Sequence, residues 1–168
     1  MKYRQDRNGN SLSVLGFGCM RFARKNGRID MAQAEKQIMD AYRAGVNYYD
    51  TAYVYPGSEA AIGEIFEKNG IRDSINIATK LPQYLIGSRA AAERFFNEEL
   101  SRLRTDHVDY YLMHHLTDVA VWEKLKDAGI LEWIDEKKKS GQIRNIGFSY
   151  HGNTENFVRI LNDYDWDI

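Results

Sequence analysis

The chain has one cysteine among its 168 residues, Cys19. A lone thiol excludes an intramolecular disulfide and fits a reducing compartment. Neither sign of charge is in surplus. The net charge is −1 and the pI is near 6.4, so nothing draws the molecule as a whole to nucleic acid or to an acidic membrane. Charges interrupt every long apolar stretch, and no charged-then-apolar leader opens the sequence, so neither a membrane span nor a secretory signal is expected. The expected location is the cytoplasm. A metal-ligand set is also missing. His114 and His115 are neighbours that would leave a strand on opposite faces, and His107 and His151 lack matching ligands. What is present is 43% hydrophobic residues, enough for the core of a single domain over residues 1–168.

Those residues follow a strand–helix rhythm. Lys2–Arg4 and Leu12–Leu15 flank a polar turn at Asp6-Arg7-Asn8-Gly9, which reads as a β-hairpin because Asn-Gly tolerates the positive φ angles of tight turns. Leu15–Gly18 reads as a first interior strand, followed by a long polar loop. Asp30 then caps a helix with Gln33 three residues on and Ala34, Ile38, Ala41 and Tyr42 on one face, closed by Gly45. Further strands are expected at 47–50, 75–80, 108–114 and 143–149. Helices are expected at 58–68, 88–104, 121–139 (broken at Gly129) and 153–164. Lys137-Lys138-Lys139 suits the negative end of a helix dipole better than a binding patch.

Strand starts about 30 residues apart match a strand plus its return helix, which implies a parallel sheet with helices outside. Two architectures compete. Length favours an open doubly wound sheet, since a closed eight-stranded barrel needs roughly 250 residues. The motifs favour the barrel. Gly16-Phe17-Gly18-Cys19-Met20-Arg21 supplies only two glycines of a dinucleotide-binding Gly-x-Gly-x-x-Gly turn. Polar residues instead mark the end of nearly every strand, which is how barrel enzymes distribute their sites.

Asp50, Tyr55, Lys80 and His114 lie at or just beyond the ends of three successive apolar runs. On parallel strands they would converge. A nearby ammonium such as Lys80 would pull the Tyr55 phenol below its reference pKa of about 10 and ease proton donation. Asp50 would hold Lys80 charged and oriented, and His114 would hydrogen-bond a carbonyl oxygen. The set suits carbonyl reduction, and because no side chain donates hydride, a cofactor such as a nicotinamide is implied. Each residue also has a plain structural use: Asp50 as a cap or turn former, Tyr55 as a turn aromatic before Pro56-Gly57, Lys80 as a solvated strand end.

Taken together, these segments resemble the aldo-keto reductase family. Asp50-Thr51-Ala52-Tyr53-Val54-Tyr55 with Gly57-Ser58-Glu59 is similar to its Asp-Thr-Ala-x-x-Tyr segment and the helix start after it. Ile77-Ala78-Thr79-Lys80 is similar to its lysine strand, and Asp109–His114 to its histidine strand. Lys139–Ser149 resembles its Gly-x-Ile-Arg-x-Ile-Gly-x-Ser segment.

The resemblance implies an α/β fold of the (β/α)8 TIM-barrel type, here limited to about five βα units, with an N-terminal hairpin across the barrel bottom. It also implies NADP(H)-dependent reduction of a small aldehyde or ketone, with Tyr55 as proton donor and Asp50, Lys80 and His114 as its partners. Cys19, Met20, Arg21, Asp50 and Ser149 would contact the cofactor, Ser149 at the nicotinamide carboxamide. Tyr150 departs from the family's usual Asn after that serine. Phe-Ser-Tyr-His-Gly resembles a bacterial branch whose members often carry an iron–sulfur tail, which Cys19 alone cannot supply. In the family, most adenosine-phosphate contacts come from strands after the fifth. These residues alone are therefore expected to bind NADP(H) weakly. Open strand edges are expected at strands one and five, and a half-barrel that self-associates through them without catalysis is the alternative function.

Overall fold

The computed structural model describes residues 1–168. An antiparallel hairpin, β1 (Tyr3–Gln5) and β2 (Ser11–Ser13), opens the chain. A central sheet follows, made of β3 (Phe17–Gly18), β6 (Tyr48–Asp50), β7 (Asn76–Leu81), β8 (Val108–Leu116) and β9 (Ile143–Tyr150). Its order is β3-β6-β7-β8-β9, with each strand parallel to the next. A doubly wound sheet would reverse order at its switch point. The strictly sequential order is that of a barrel wall and settles the two architectures in favour of a partial (β/α)8 barrel.

Between β3 and the first helix, the expected polar loop is instead a second hairpin, β4 (Arg24–Lys25) and β5 (Arg28–Ile29). Its turn is Asn26-Gly27, with both φ angles positive at 53° and 77°, as a two-residue type I′ turn requires. At the first hairpin only Gly9 has positive φ. The first interior strand is also shorter than expected, because Leu15 lies exposed ahead of it.

The helices are α1 (Met31–Arg43), α2 (Ser58–Asn69), α3 (Arg89–Leu103), α4 (Val119–Asp127), α5 (Ile130–Ser140) and α6 (Thr154–Asp163). Asp30 Oδ1 accepts from Gln33 N at 3.1 Å to start α1, and Ser88, Asp118 and Asn153 cap α3, α4 and α6 in the same way. Gly129, at φ 75°, divides the expected 121–139 segment into α4 and α5. Gly63 lets α2 meet α3: a Cβ there would lie 2.5 Å from the Arg102 carbonyl oxygen.

Side-chain alternation along the strands separates core from site. Tyr49, Ile77, Tyr111, Met113 and Ile146 face the helices and are fully buried. Phe96 meets Tyr111 and Trp133 edge-on, with centroids 5.1 and 5.5 Å apart. The opposite, inner face carries Tyr48 and Asp50, Ala78 and Lys80, then Leu112 and His114, then Gly147 and Ser149. The register pairs Asp50 with Ala78, Lys80 with Leu112, and Leu112 with Gly147. The β1–β2 hairpin closes the far end of this face, as expected: Tyr110 donates to Asp6, and Asn8 Nδ2 donates to Asn145 Oδ1 at 2.7 Å. Along β9, Asp167 N and Ile168 N both donate to Ile146 O, at 2.9 and 3.3 Å.

Candidate active site

The C-terminal ends of β6, β7 and β8 bring Asp50, Tyr55, Lys80 and His114 together. Lys80 is buried, and its Nζ donates to Asp50 Oδ1 at 2.7 Å and to Thr51 O at 2.6 Å. Asp50 stays about one-third exposed, so the ion pair has one wet partner. The same Nζ stands 5.2 Å from the centre of the Tyr55 ring. Across from it, the His114 ring meets Tyr55 edge-on with centroids 6.0 Å apart. A carboxylate, an ammonium, a phenol and an imidazole thus share one small volume.

The Tyr55 loop is anchored at its base. Thr51 Oγ1 and Ser58 Oγ are 2.8 Å apart, and Ser58 Oγ donates to Cys19 O at 2.8 Å. Thr51 N donates to Ala78 O at 2.8 Å, continuing the β6–β7 ladder past Asp50. From α3, the Arg102 guanidinium covers the Tyr53 ring at 4.3 Å.

The electrostatics correct one expectation. Burial, joined by the Asp50 carboxylate, holds the Tyr55 phenol above its ordinary value, so Lys80 does not pull it below. Tyr55 therefore rests firmly protonated. Burial first, then the charge of Lys80, pushes the His114 imidazole down to about 4, so it is neutral near pH 7. Its Nδ1 is buried without a hydrogen-bond partner. The tautomer that strands no N–H inside carries its hydrogen on Nε2.

The expected cofactor contacts are unevenly placed. Cys19 is fully buried in the core with its thiol 3.7 Å from Phe17 O, so its side chain does not line the site. Met20 is exposed, as is Arg21 beside it. Ser149 lies on the inner face, where its Oγ accepts the His115 N–H at 2.7 Å. His115 makes that contact from a β-bulge, at a left-handed φ of 57°. Sequence reasoning missed the bulge and ran the strand only to His114, whereas β8 continues to Leu116. The His115 ring leaves the strand to stack on His151, centroids 4.4 Å apart. The Ser149 contact tests the fit of a nicotinamide: with its oxygen already accepting, the hydroxyl keeps its own hydrogen for a carboxamide carbonyl. On that count the residues present fit.

Known proteins share this fold. The model of the aldo/keto reductase family matches residues 14–167. The chain belongs to the aldo/keto reductase family. An aldo-keto reductase of Mycobacterium sp. strain MCS is 35% identical over 147 residues, which is 83% of this chain and 45% of that protein. The holo form of an aldo-keto reductase from Bacillus halodurans matches with a TM-score of 0.73 at 31% identity, covering 89% of this chain and 50% of that one. An aldo/keto reductase from Klebsiella pneumoniae, solved with NADP and acetate, has the same fold at a TM-score of 0.76 and 24% identity. The chain spans about half the length of the curated relatives it matches.

Proposed function

We propose that this chain carries the carbonyl-reducing site of an NADP(H)-dependent oxidoreductase that converts an aldehyde or ketone to an alcohol. The observation that carries the proposal is the position of Lys80 Nζ, bonded to Asp50 at 2.7 Å while facing the Tyr55 ring at 5.2 Å.

A nicotinamide, when bound, supplies the hydride. The chain's residues do the rest. Tyr55 presents its O–H to the substrate oxygen and gives up that proton as charge develops there. The Lys80 ammonium stabilises the phenolate left behind, which matters more in the transition state than at rest, where the phenol's raised value keeps the proton on. Asp50 and Thr51 O fix the direction of the ammonium. His114 offers Nε2–H to the same oxygen, and being neutral it adds no charge that would compete with Lys80. Ser149 and Asp50, with the Met20–Arg21 rim, are the proposed cofactor contacts. NADP(H) affinity is expected to be weak in these residues alone, because the inner face ends at β9.

The test is replacement of Tyr55 by Phe, which keeps the ring and removes the proton. General-acid catalysis contributes about 10²–10⁴-fold, so turnover of an aldehyde probe with NADPH should fall by that order. An unchanged rate would sink the assignment.

A second reading is favoured by the exposed apolar residues at the two ends of the sheet: Val14 and Leu15 beside β3, and Val158 and Leu161 on α6. Under it the chain is a non-catalytic half-barrel that self-associates through its sheet edges, the β3 edge above all, since residues 167–168 already bond Ile146 on β9.

A further inference from the structure

The β4–β5 hairpin was invisible as an element in the sequence, and nothing in the site chemistry above uses it. Its base is fixed by buried Phe22, which stacks on Phe17 with centroids 6.2 Å apart. Its outer part stands away from the helices across a cavity of about 620 Å³ lined by Arg24, Ile29, Met31, Ala60 and Ala61 among others. One hydrogen bond crosses from the hairpin to the turn after Tyr55, and Ile29 approaches the same turn. Arg24 Nη2 donates to Pro56 O at 2.6 Å, and Ile29 Cδ1 lies 3.5 Å from where a side chain at Gly57 would begin. Arg24 Nη1 also donates to Gly27 O at 3.1 Å, so the guanidinium braces its own hairpin turn while holding the other loop. No carboxylate competes for it within ion-pair distance. Arg24 and Ile29 are cross-strand partners, which puts both contacts on one face of the hairpin.

From this geometry we propose that Arg24 is a positioning residue for Tyr55: it clamps the Tyr55-Pro56-Gly57 turn from outside and sets where the phenol points. The inference rests on Tyr55 being the proton donor. Pro56 donates no N–H, Gly57 has a left-handed φ of 77° and no side chain, and α2 begins at Ser58 without a side-chain cap. The turn closes on its inner side through the Ser58 N–H to Tyr55 O at 3.0 Å, and on its outer side the charge-assisted bond from Arg24 to Pro56 O restrains it.

The test compares Arg24→Gln and Arg24→Lys with wild type, using amide hydrogen exchange and steady-state kinetics with NADPH and an aldehyde probe. In R24Q, exchange over residues 55–61 should quicken about three- to tenfold, the effect of losing one hydrogen bond, while exchange over β7 stays unchanged. Any turnover should fall in kcat, with KM for the aldehyde held. R24K, which can still donate to Pro56 O, should recover most of both. Unchanged exchange over 55–61 in R24Q, loosening spread equally into β7, or no recovery in R24K would each overturn the clamp. If the exchange pattern holds and Y55F turns over like wild type, the clamp stands and the assignment of Tyr55 as donor fails.

Discussion

His114 is the residue whose state the structure fixes most sharply. Its Nδ1 is buried without a hydrogen-bond partner, and its value is pushed down to about 4 by burial and by Lys80. The stability consequence has a definite sign. Between about 6.5 and about 4 the unfolded chain binds a proton at this residue and the folded chain does not, so acid across that window destabilises the fold. An NMR titration should find the His114 ring neutral until the pH nears 4, and a midpoint near 6.5 would contradict the half-buried placement beside Lys80. The identities of Asp50, Tyr55, Lys80 and His114 were legible because each follows a strand, and strand ends of a parallel sheet point one way. The resting state of Tyr55 was not legible. It depends on how far the loop after β6 is buried beside Asp50, and that burial has no local sequence signal.

Behind the site, α2, α3, β7 and β8 share a buried polar seam. Thr79 Oγ1 donates to Glu59 Oε1 at 2.6 Å, and Tyr111 donates to fully buried Glu99 at 2.6 Å. Burial and the nearby Glu59 push the Glu99 carboxyl well above its ordinary value. The folded state therefore keeps a proton there that the unfolded chain releases above about 4.5, and this contribution to stability is lost as pH rises. Glu99→Gln mimics the protonated form, so its stability relative to wild type should improve from about pH 5 to about pH 8, read by urea unfolding. A difference that is constant or shrinks over that range would contradict a protonated Glu99. Periodicity located these helices and strands within a few residues, since apolar spacing and glycine punctuation are local. The β4–β5 hairpin escaped because two-residue strands carry no periodic signal. Its one clue, Asn26-Gly27, lay between charged residues and not between apolar runs.

The whole chain presents one wall of a barrel: a sequential parallel sheet with a packed outer face, a polar inner face, and edges at β3 and β9. If those edges and the exposed Val14, Leu15, Val158 and Leu161 drive self-association, light scattering should give a mass that is a multiple of 19.5 kDa. A strictly monomeric mass would count against that second reading. No helix is long and apolar enough to cross a membrane. Strand order is the whole-molecule feature that unit spacing left open, because that spacing is the same in an open sheet and in a barrel. The polar residues at the strand ends pointed to the barrel, and the sequential order bears that out. The central claim, that Tyr55 hands its proton to a carbonyl, is tested most directly by following NADPH oxidation with nitrobenzaldehyde, wild type beside Y55F, near neutral pH. Turnover by wild type that drops about 10²–10⁴-fold in the variant is the predicted result; equal rates in the two would contradict it.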